Sequence, residues 1–286
     1  MTQLVEPLGP GLSRVWDLGR VLVDTHTAYQ HVIIAETSQG VALFCDNDRQ
    51  SAEASQLVYH EALLVPALLL APHLDRVLII GSTEGVLTQL ALAAGATHID
   101  HVDIDREAVE LCAKHLPYGY NPADLTAGGQ VHLHYTDGWS FVATTANRYD
   151  LIAIDLPDEH PGPAQHNRLY QKDFLTRCRN LLTPGGVVVS QAGCPTLWRN
   201  STLIQSWQRF HDVFDSVVYF GSDEHEWAFL NGQQGRAAAD PDLGSIRYRP
   251  LTIDAETLRG CTVPPYSLRA TSRAQGPGSP ASRRGR

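Results

Sequence analysis

The stretch Arg76-Val-Leu-Ile-Ile-Gly-Ser-Thr-Glu-Gly-Val-Leu-Thr-Gln-Leu90 constrains the fold more than any other part of the chain. Residues 76 to 80 form a short apolar run, Gly81 and Gly85 bracket a tight turn, and Val86 to Ala94 carry apolar residues at helical spacing. The pattern predicts strand, turn and helix, the first crossover of a nucleotide-binding α/β domain. Any βα junction uses a glycine or two, so the turn alone is a weak motif. Its position strengthens it, because the next hydrophobic run, Ile99-Asp-His-Val-Asp103, closes on an acid about twenty residues on, where a carboxylate holds a ribose.

Alternation continues beyond this unit. Helices are expected over 57–70, bent or divided by Pro66, and over 106–115, after Gly138, over 169–182 and over 199–211. Strands are expected over 131–135, 151–155 and 186–190, with two more near 215–220 and 227–231. Strands and helices in turn imply a parallel sheet covered on both faces. The fold class is therefore α/β, a Rossmann-like, methyltransferase-type sheet of seven strands. Residues 1–57 read as a small β-rich domain with strand-like runs at 20–23, 29–34 and 40–45. The main domain spans 58–268, although 233–268 is hard to read, and 269–286, rich in Arg, Ser, Gly and Pro, is expected to be disordered.

With 286 residues, 43% of them hydrophobic, the chain can bury a full core. No apolar run reaches the ~20 residues of a membrane span, and the N-terminus carries no basic segment followed by an apolar one. A soluble, cytoplasmic protein is the expectation. Five scattered cysteines without a C-x-x-C pair argue against a disulfide framework and a zinc site, and the thirteen histidines form no compact ligand set, so no metal is expected. The net charge is −9, and the last eighteen residues contribute five arginines and no acid, so the body carries −14. That balance disfavours nucleic acid and suits a cationic substrate, although acidity can also serve solubility alone.

Carboxylates recur where ligands bind in such sheets, outside the carboxyl ends of the strands. Glu84 follows the first strand, Asp103 ends the second, Asp137 follows the third, and Asp155 and Asp158 follow the fourth. A single acid there is often a helix cap. Five at four successive ends exceed what capping explains, and like charges in one cleft are costly unless a cation arrives. A polyamine or a sulfonium nucleoside supplies one.

These residues, in this order, resemble the polyamine aminopropyltransferase family of spermidine, spermine and thermospermine synthases, from about Thr27 to Leu230. The resemblance rests on Tyr29-Gln30, Tyr59-His-Glu61, the glycine turn with Glu84, Val-Asp-Ile-Asp at 102–105, Asp137-Gly138, Asp155-x-x-Asp158, Gly162-Pro163 before Leu169-Tyr170, and Pro184-Gly-Gly-Val-Val-Val-Ser-Gln191. Glu84, Asp103, Pro66-Ala-Leu-Leu69, the wide gap between Asp158 and Leu169, and Ser190-Gln-Ala-Gly193 are most similar to thermospermine synthases. The resemblance implies transfer of an aminopropyl group from decarboxylated S-adenosylmethionine, a co-substrate rather than a resident cofactor, to a polyamine amine. It implies that Gln30, Gly81, Glu84, Asp103, Asp137, Gly138 and Pro163 bind the donor, that His60, Glu84, Asp155 and Asp158 bind the polyamine, and that Asp155 with Tyr59 is catalytic. It also implies a homodimer or homotetramer.

Three features depart from the family pattern: Ser82 and Thr83 stand for glycines, Glu159 stands for a proline, and Gly221-Ser-Asp-Glu-His-Glu-Trp227 replaces an aromatic, small-residue stretch. The rival readings are an S-adenosylmethionine-dependent amine N-methyltransferase and a non-catalytic homologue that binds nucleoside or polyamine. Methyltransferases of similar fold carry an acid two residues before the first glycine of the turn; Ile79 occupies that place here.

Overall fold

The computed structural model describes residues 2–160, 162–222, 224–235 and 243–269. Six strands precede the first helix: β1 (Thr2–Gly9), β2 (Leu12–Leu18), β3 (Val21–His26), β4 (His31–Thr37), β5 (Gly40–Cys45) and β6 (Asp48–Ala52). β1 and β2 form a hairpin, and β3 to β6 form a four-stranded antiparallel sheet. One face of that sheet packs on the hairpin through Ile33, Ala35, Phe44, Leu4 and Trp16. The other face, with Ile34 and Leu43, packs on Ala108 and Cys112 of a helix of the main domain. A sheet this small thus gains cover on both sides.

The main domain begins with α1 (Gln56–Leu70), then β7 (Arg76–Gly81), α2 (Val86–Ala93), β8 (His98–Asp103), α3 (Arg106–His115), α4 (Pro122–Thr126), β9 (Val131–Tyr135), α5 (Gly138–Thr144) and β10 (Tyr149–Asp155). A 3-10 turn (Gln165–Tyr170), α6 (Lys172–Asn180), β11 (Leu182–Gln191), α7 (Ser201–Val213), β12 (Ser216–Ser222), β13 (Trp227–Gln233) and α8 (Ala255–Cys261) follow. The seven strands lie in the order β12-β13-β11-β10-β7-β8-β9. Within β7, Val77 and Ile79 pack with α1, α2 and α8, while Leu78 and Ile80 pack with α5, α6 and α7. Consecutive residues face opposite sides of a strand, so a continuous apolar run is what a sheet buried on both faces demands.

Three expectations need correction. The sheet is not wholly parallel: β13 runs antiparallel to both β11 and β12, because a short β12–β13 connection leaves no room for a crossover. Pro66 does not divide α1; it lies in the last part of the helix, where its missing N–H forfeits one bond. The segment 169–182 is not one helix, since Gln171 is extended between the 3-10 turn and α6, and Leu182 already belongs to β11. Residues 270–286, most of the expected tail, lie outside the described residues.

The sheet's connectivity also sets where a ligand binds. β7 has β8 on one side and β10 on the other, and register pairs Gly81 with Asp155 at the ends of β7 and β10. This is the point where strand order reverses and a crevice opens.

Candidate active site

Backbone geometry builds the turn after β7. Gly81 has φ +82°, and a Cβ there would lie 2.0 Å from the Asp155 carbonyl oxygen, so no other residue fits. Ser82 N–H donates to that same oxygen (3.0 Å) and Gly85 N–H donates to Ser82 O (3.0 Å). Ser82 is itself left-handed, at φ +60°, which costs a side chain about 1 to 2 kcal/mol. Behind the turn, buried His101 donates Nε2–H to the Gly81 carbonyl (2.7 Å), leaving Nδ1 to accept from Thr88 Oγ1 (3.0 Å). Burial pushes the His101 pKa down to about 4, so the ring stays neutral.

On the β8 side, Asp103 is buried, with Oδ1 accepting from Asp105 N–H (2.8 Å) and Oδ2 from Thr83 Oγ1 (2.8 Å). Burial pushes its carboxyl up to about 6 despite those two bonds. Thr83, a departure from the family's glycine, thereby touches the ribose-binding candidate directly. Gln30 reaches across from the N-terminal sheet and donates Nε2–H to Asp105 Oδ2 (2.9 Å), which leaves its carbonyl oxygen for a ligand. Asp137 is the N-cap of α5, accepting from Ser140 N–H and Oγ, and its other oxygen pairs with Arg168 at 2.6 Å. Burial opposes ionisation, but the Ser140 bonds and Arg168 hold its carboxyl below the usual range. Asp137 is thus a cap as well as a candidate ligand. Gly138 leaves room for Ile80, whose Cγ2 would lie 2.9 Å from a Cβ, and Pro163 is exposed on the loop after β10.

A compact polar centre sits between α1, the turn and β10. His60 Nδ1–H donates to Gln56 O (2.7 Å), so in the neutral ring Nε2 is left as an acceptor. That Nε2 is buried, without a hydrogen-bond partner, 3.8 Å from Glu84 Oε1 and 3.8 Å from Asp155 Oδ2. Among the described residues neither carboxylate pairs with a lysine or arginine. Tyr59 donates its hydroxyl to Asp155 Oδ1 (2.6 Å); burial, then the Asp155 charge, pushes the phenol well up, so it remains a donor. The ring of Tyr59 is set edge-on against His60, Trp227 and Phe229. Glu61, the next residue of α1, turns away and accepts from Tyr248 Oη, Leu251 N, Thr252 N and Thr252 Oγ1. It anchors the C-terminal segment and takes no part in the site.

Asp158 belongs to the wall of a cavity of about 660 Å³ between the N-terminal sheets and the main domain, with Tyr59, Gln191, Trp227, Asp48 and Arg199 also lining it. One Asp158 oxygen accepts from Gln191 Nε2, the other pairs with Arg199 at 3.3 Å, and Arg199 also pairs with Asp48 at 3.4 Å. Tyr170 Oη donates within reach of Gln191 Oε1 (2.7 Å) and Pro157 O (2.7 Å), fixing the Gln191 amide so that its NH2 faces Asp158. The structure therefore brings Tyr59, His60, Glu84 and Asp155 together and sets Asp158 apart with a cation of its own. Gln191 and Tyr170 stood in recognisable motifs. Nothing local in the sequence signals Asp48, Arg199 or buried Glu6, which meet only through folding.

The spermine/spermidine synthase domain model matches residues 56–221. A polyamine aminopropyltransferase of Prochlorococcus marinus (strain MIT 9313) is 38% identical over 184 residues, 63% of this chain and 63% of that protein. One of Hamiltonella defensa is 30% identical over 262 residues, covering 85% of this chain and 88% of its own. The crystal structure of a spermidine synthase in complex with the transition-state analogue AdoDATO shares the fold, with a TM-score of 0.81 over 94% of each chain at 20% identity. The spermidine synthase of Thermotoga maritima does so at 0.79 over the same shares, at 19% identity. The chain belongs to the spermine/spermidine synthase family.

Proposed function

We propose that this protein transfers an aminopropyl group from decarboxylated S-adenosylmethionine to a polyamine amine and releases methylthioadenosine. The observation that carries the reading is the His60, Glu84 and Asp155 group: two largely buried carboxylates that no lysine or arginine among the described residues neutralises, and a buried imidazole nitrogen without a hydrogen-bond partner 3.8 Å from each. Like charges held that close require a cation, and a primary ammonium offers three N–H donors. In this reading Asp103 accepts from the ribose hydroxyls, Gln30, Asp137, Gly138 and Pro163 bound the base, and the Gly81 turn supports the nucleoside. Glu84 holds the donor's terminal ammonium, and His60, Asp155 and Asp158 line the acceptor's path.

The chemistry then needs little beyond positioning. An alkylamine has a pKa near ~10.4, so freeing its lone pair at pH 7 costs about 4 to 5 kcal/mol. Asp155, oriented by Tyr59, takes that proton as the amine attacks the propyl carbon next to sulfur. The carbon–sulfur bond breaks with its electrons going to sulfur, and the sulfonium leaves as a neutral thioether. The methyl-transfer reading lacks support at Ile79, which is fully buried and apolar where methyltransferases of similar fold usually place an acid. Incubating the protein with the decarboxylated donor and putrescine, cadaverine, agmatine, spermidine or spermine in turn, and measuring methylthioadenosine, tests the assignment. Amine-dependent release supports it, and no release with any acceptor refutes it.

The finer surroundings belong to the same proposal. A cytoplasmic setting suits Cys45, Cys112, Cys178 and Cys194, all buried thiols. A homodimer or homotetramer suits the outward face of the β1–β2 hairpin, where Val5 and Val15 pair in register and are each 54% exposed. Light scattering of the purified protein measures that mass directly.

A further inference from the structure

Resting on the reading of the cavity as the amine-acceptor site, we propose that Arg199 is a specificity-determining residue, a built-in cation that occupies the carboxylates a second substrate ammonium would use. Two observations lead there. Asp158 has no free oxygen, one being held by Gln191 and the other by Arg199 at 3.3 Å. The same guanidinium reaches Asp48 of the N-terminal sheet at 3.4 Å, so one side chain neutralises acids contributed by β6 and by the loop after β10.

The local chemistry explains why a cation stands there. Burial, and then the Asp158 charge, pushes the Asp48 carboxyl up to about 7 even with Arg199 beside it. Two acids this close in a cavity wall cannot both ionise cheaply without a positive partner. Burial works against the guanidinium's charge, but Asp158 and Asp48 outweigh it and hold Arg199 firmly protonated. A single guanidinium nitrogen, Nη2, faces both carboxylates and carries two N–H groups, one for each.

Its mounting differs from that of Glu84 or Asp155. Arg199 hangs from a turn, its N–H donating to Thr196 O (3.0 Å), directly after the exposed Leu197 and Trp198 and before α7 begins. The side chain is a wall of the cavity and no part of the core. An acceptor whose next charge falls beside Asp158 must displace this guanidinium. An acceptor without a charge at that distance leaves it in place.

Replacing Arg199 removes the internal competitor. In Arg199→Ala, and in Arg199→Met which keeps an apolar stem, KM for putrescine is expected to fall about tenfold, with the change in KM rather than kcat. Added guanidinium should inhibit the Ala variant competitively against the amine and leave the unmodified protein unaffected at the same concentration. An unchanged or higher KM in folded variants overturns the proposal. So does failure of both variants to fold, because a displaceable stand-in is not a folding requirement. Calorimetric titration of putrescine alone separates this test from the functional reading. Amine binding that tightens in the variants upholds the role of Arg199 even if no turnover is found, whereas absent turnover in the unmodified protein counts against aminopropyl transfer.

Discussion

Methylthioadenosine should bind with release of a proton below about pH 6, and the proton should come from Asp103. In the free protein burial holds this carboxyl at about 6. Ribose hydroxyls donate to the ionised carboxylate and return it toward the ordinary ~3.9. At pH 5 the free group is then about nine-tenths protonated and the bound group mostly ionised, so binding releases about 0.8 proton and affinity is roughly tenfold weaker than at pH 7.5. The sign for stability is the reverse of the usual carboxylate case. With a folded pKa above the unfolded one, the ligand-free protein loses stability as pH rises from about 4 to about 6, on the order of 3 kcal/mol, and the ligand restores it. Calorimetry in buffers of different ionisation enthalpy reads the proton count, and Asp103→Asn should abolish both the release and the pH dependence. Binding that is flat between pH 5 and 7.5, or a proton release that survives Asp103→Asn, would refute the assignment.

Other expectations follow from the same geometry. Asp155→Asn should keep the thermal midpoint and reduce turnover by about 10² to 10⁴, and near-normal activity would remove Asp155 as the base. Glu84→Ala should weaken the decarboxylated donor and relax rejection of S-adenosylmethionine, since two like charges ~4 Å apart at an effective dielectric of ~20 repel by about 4 kcal/mol. An unchanged donor preference would contradict that role. Glu61→Gln replaces a buried carboxylate on which four donors converge by an amide that can accept from only some of them. The donors themselves are partly or fully exposed to water, so urea unfolding should show a loss of about 1 to 2 kcal/mol, while the donor preference stays as it was.

The parts of this fold that were legible in the sequence are those whose signal is local. The strand, turn and helix at 76–93 and the helix at 106–115 follow from periodicity and glycine placement, and Asp105 caps the latter through Ala108 N–H. β1 and β2 were not legible because their alternation is broken by a buried carboxylate. Glu6 faces inward to accept from Trp16 Nε1 (2.7 Å), and its neighbour Val5 faces out. α4 did carry a usable signal, Asn121 capping Ala123 N–H with Pro122 at the first helical position. At the site, the acids were legible as a set because strand ends place them there. Their differing fates were not. Tyr59, His60 and Glu61 are consecutive on one helix, yet only the first two reach the centre, and the Arg199 pairing joins residues 41 and 151 positions apart.

The mass of the amine product is the most direct measure of what this centre does. Offered both the decarboxylated and the ordinary sulfonium donor with one polyamine, the protein should yield an acceptor heavier by one aminopropyl unit, with methylthioadenosine as co-product. An acceptor heavier by one methyl group, with the carboxylated donor consumed, would contradict the account.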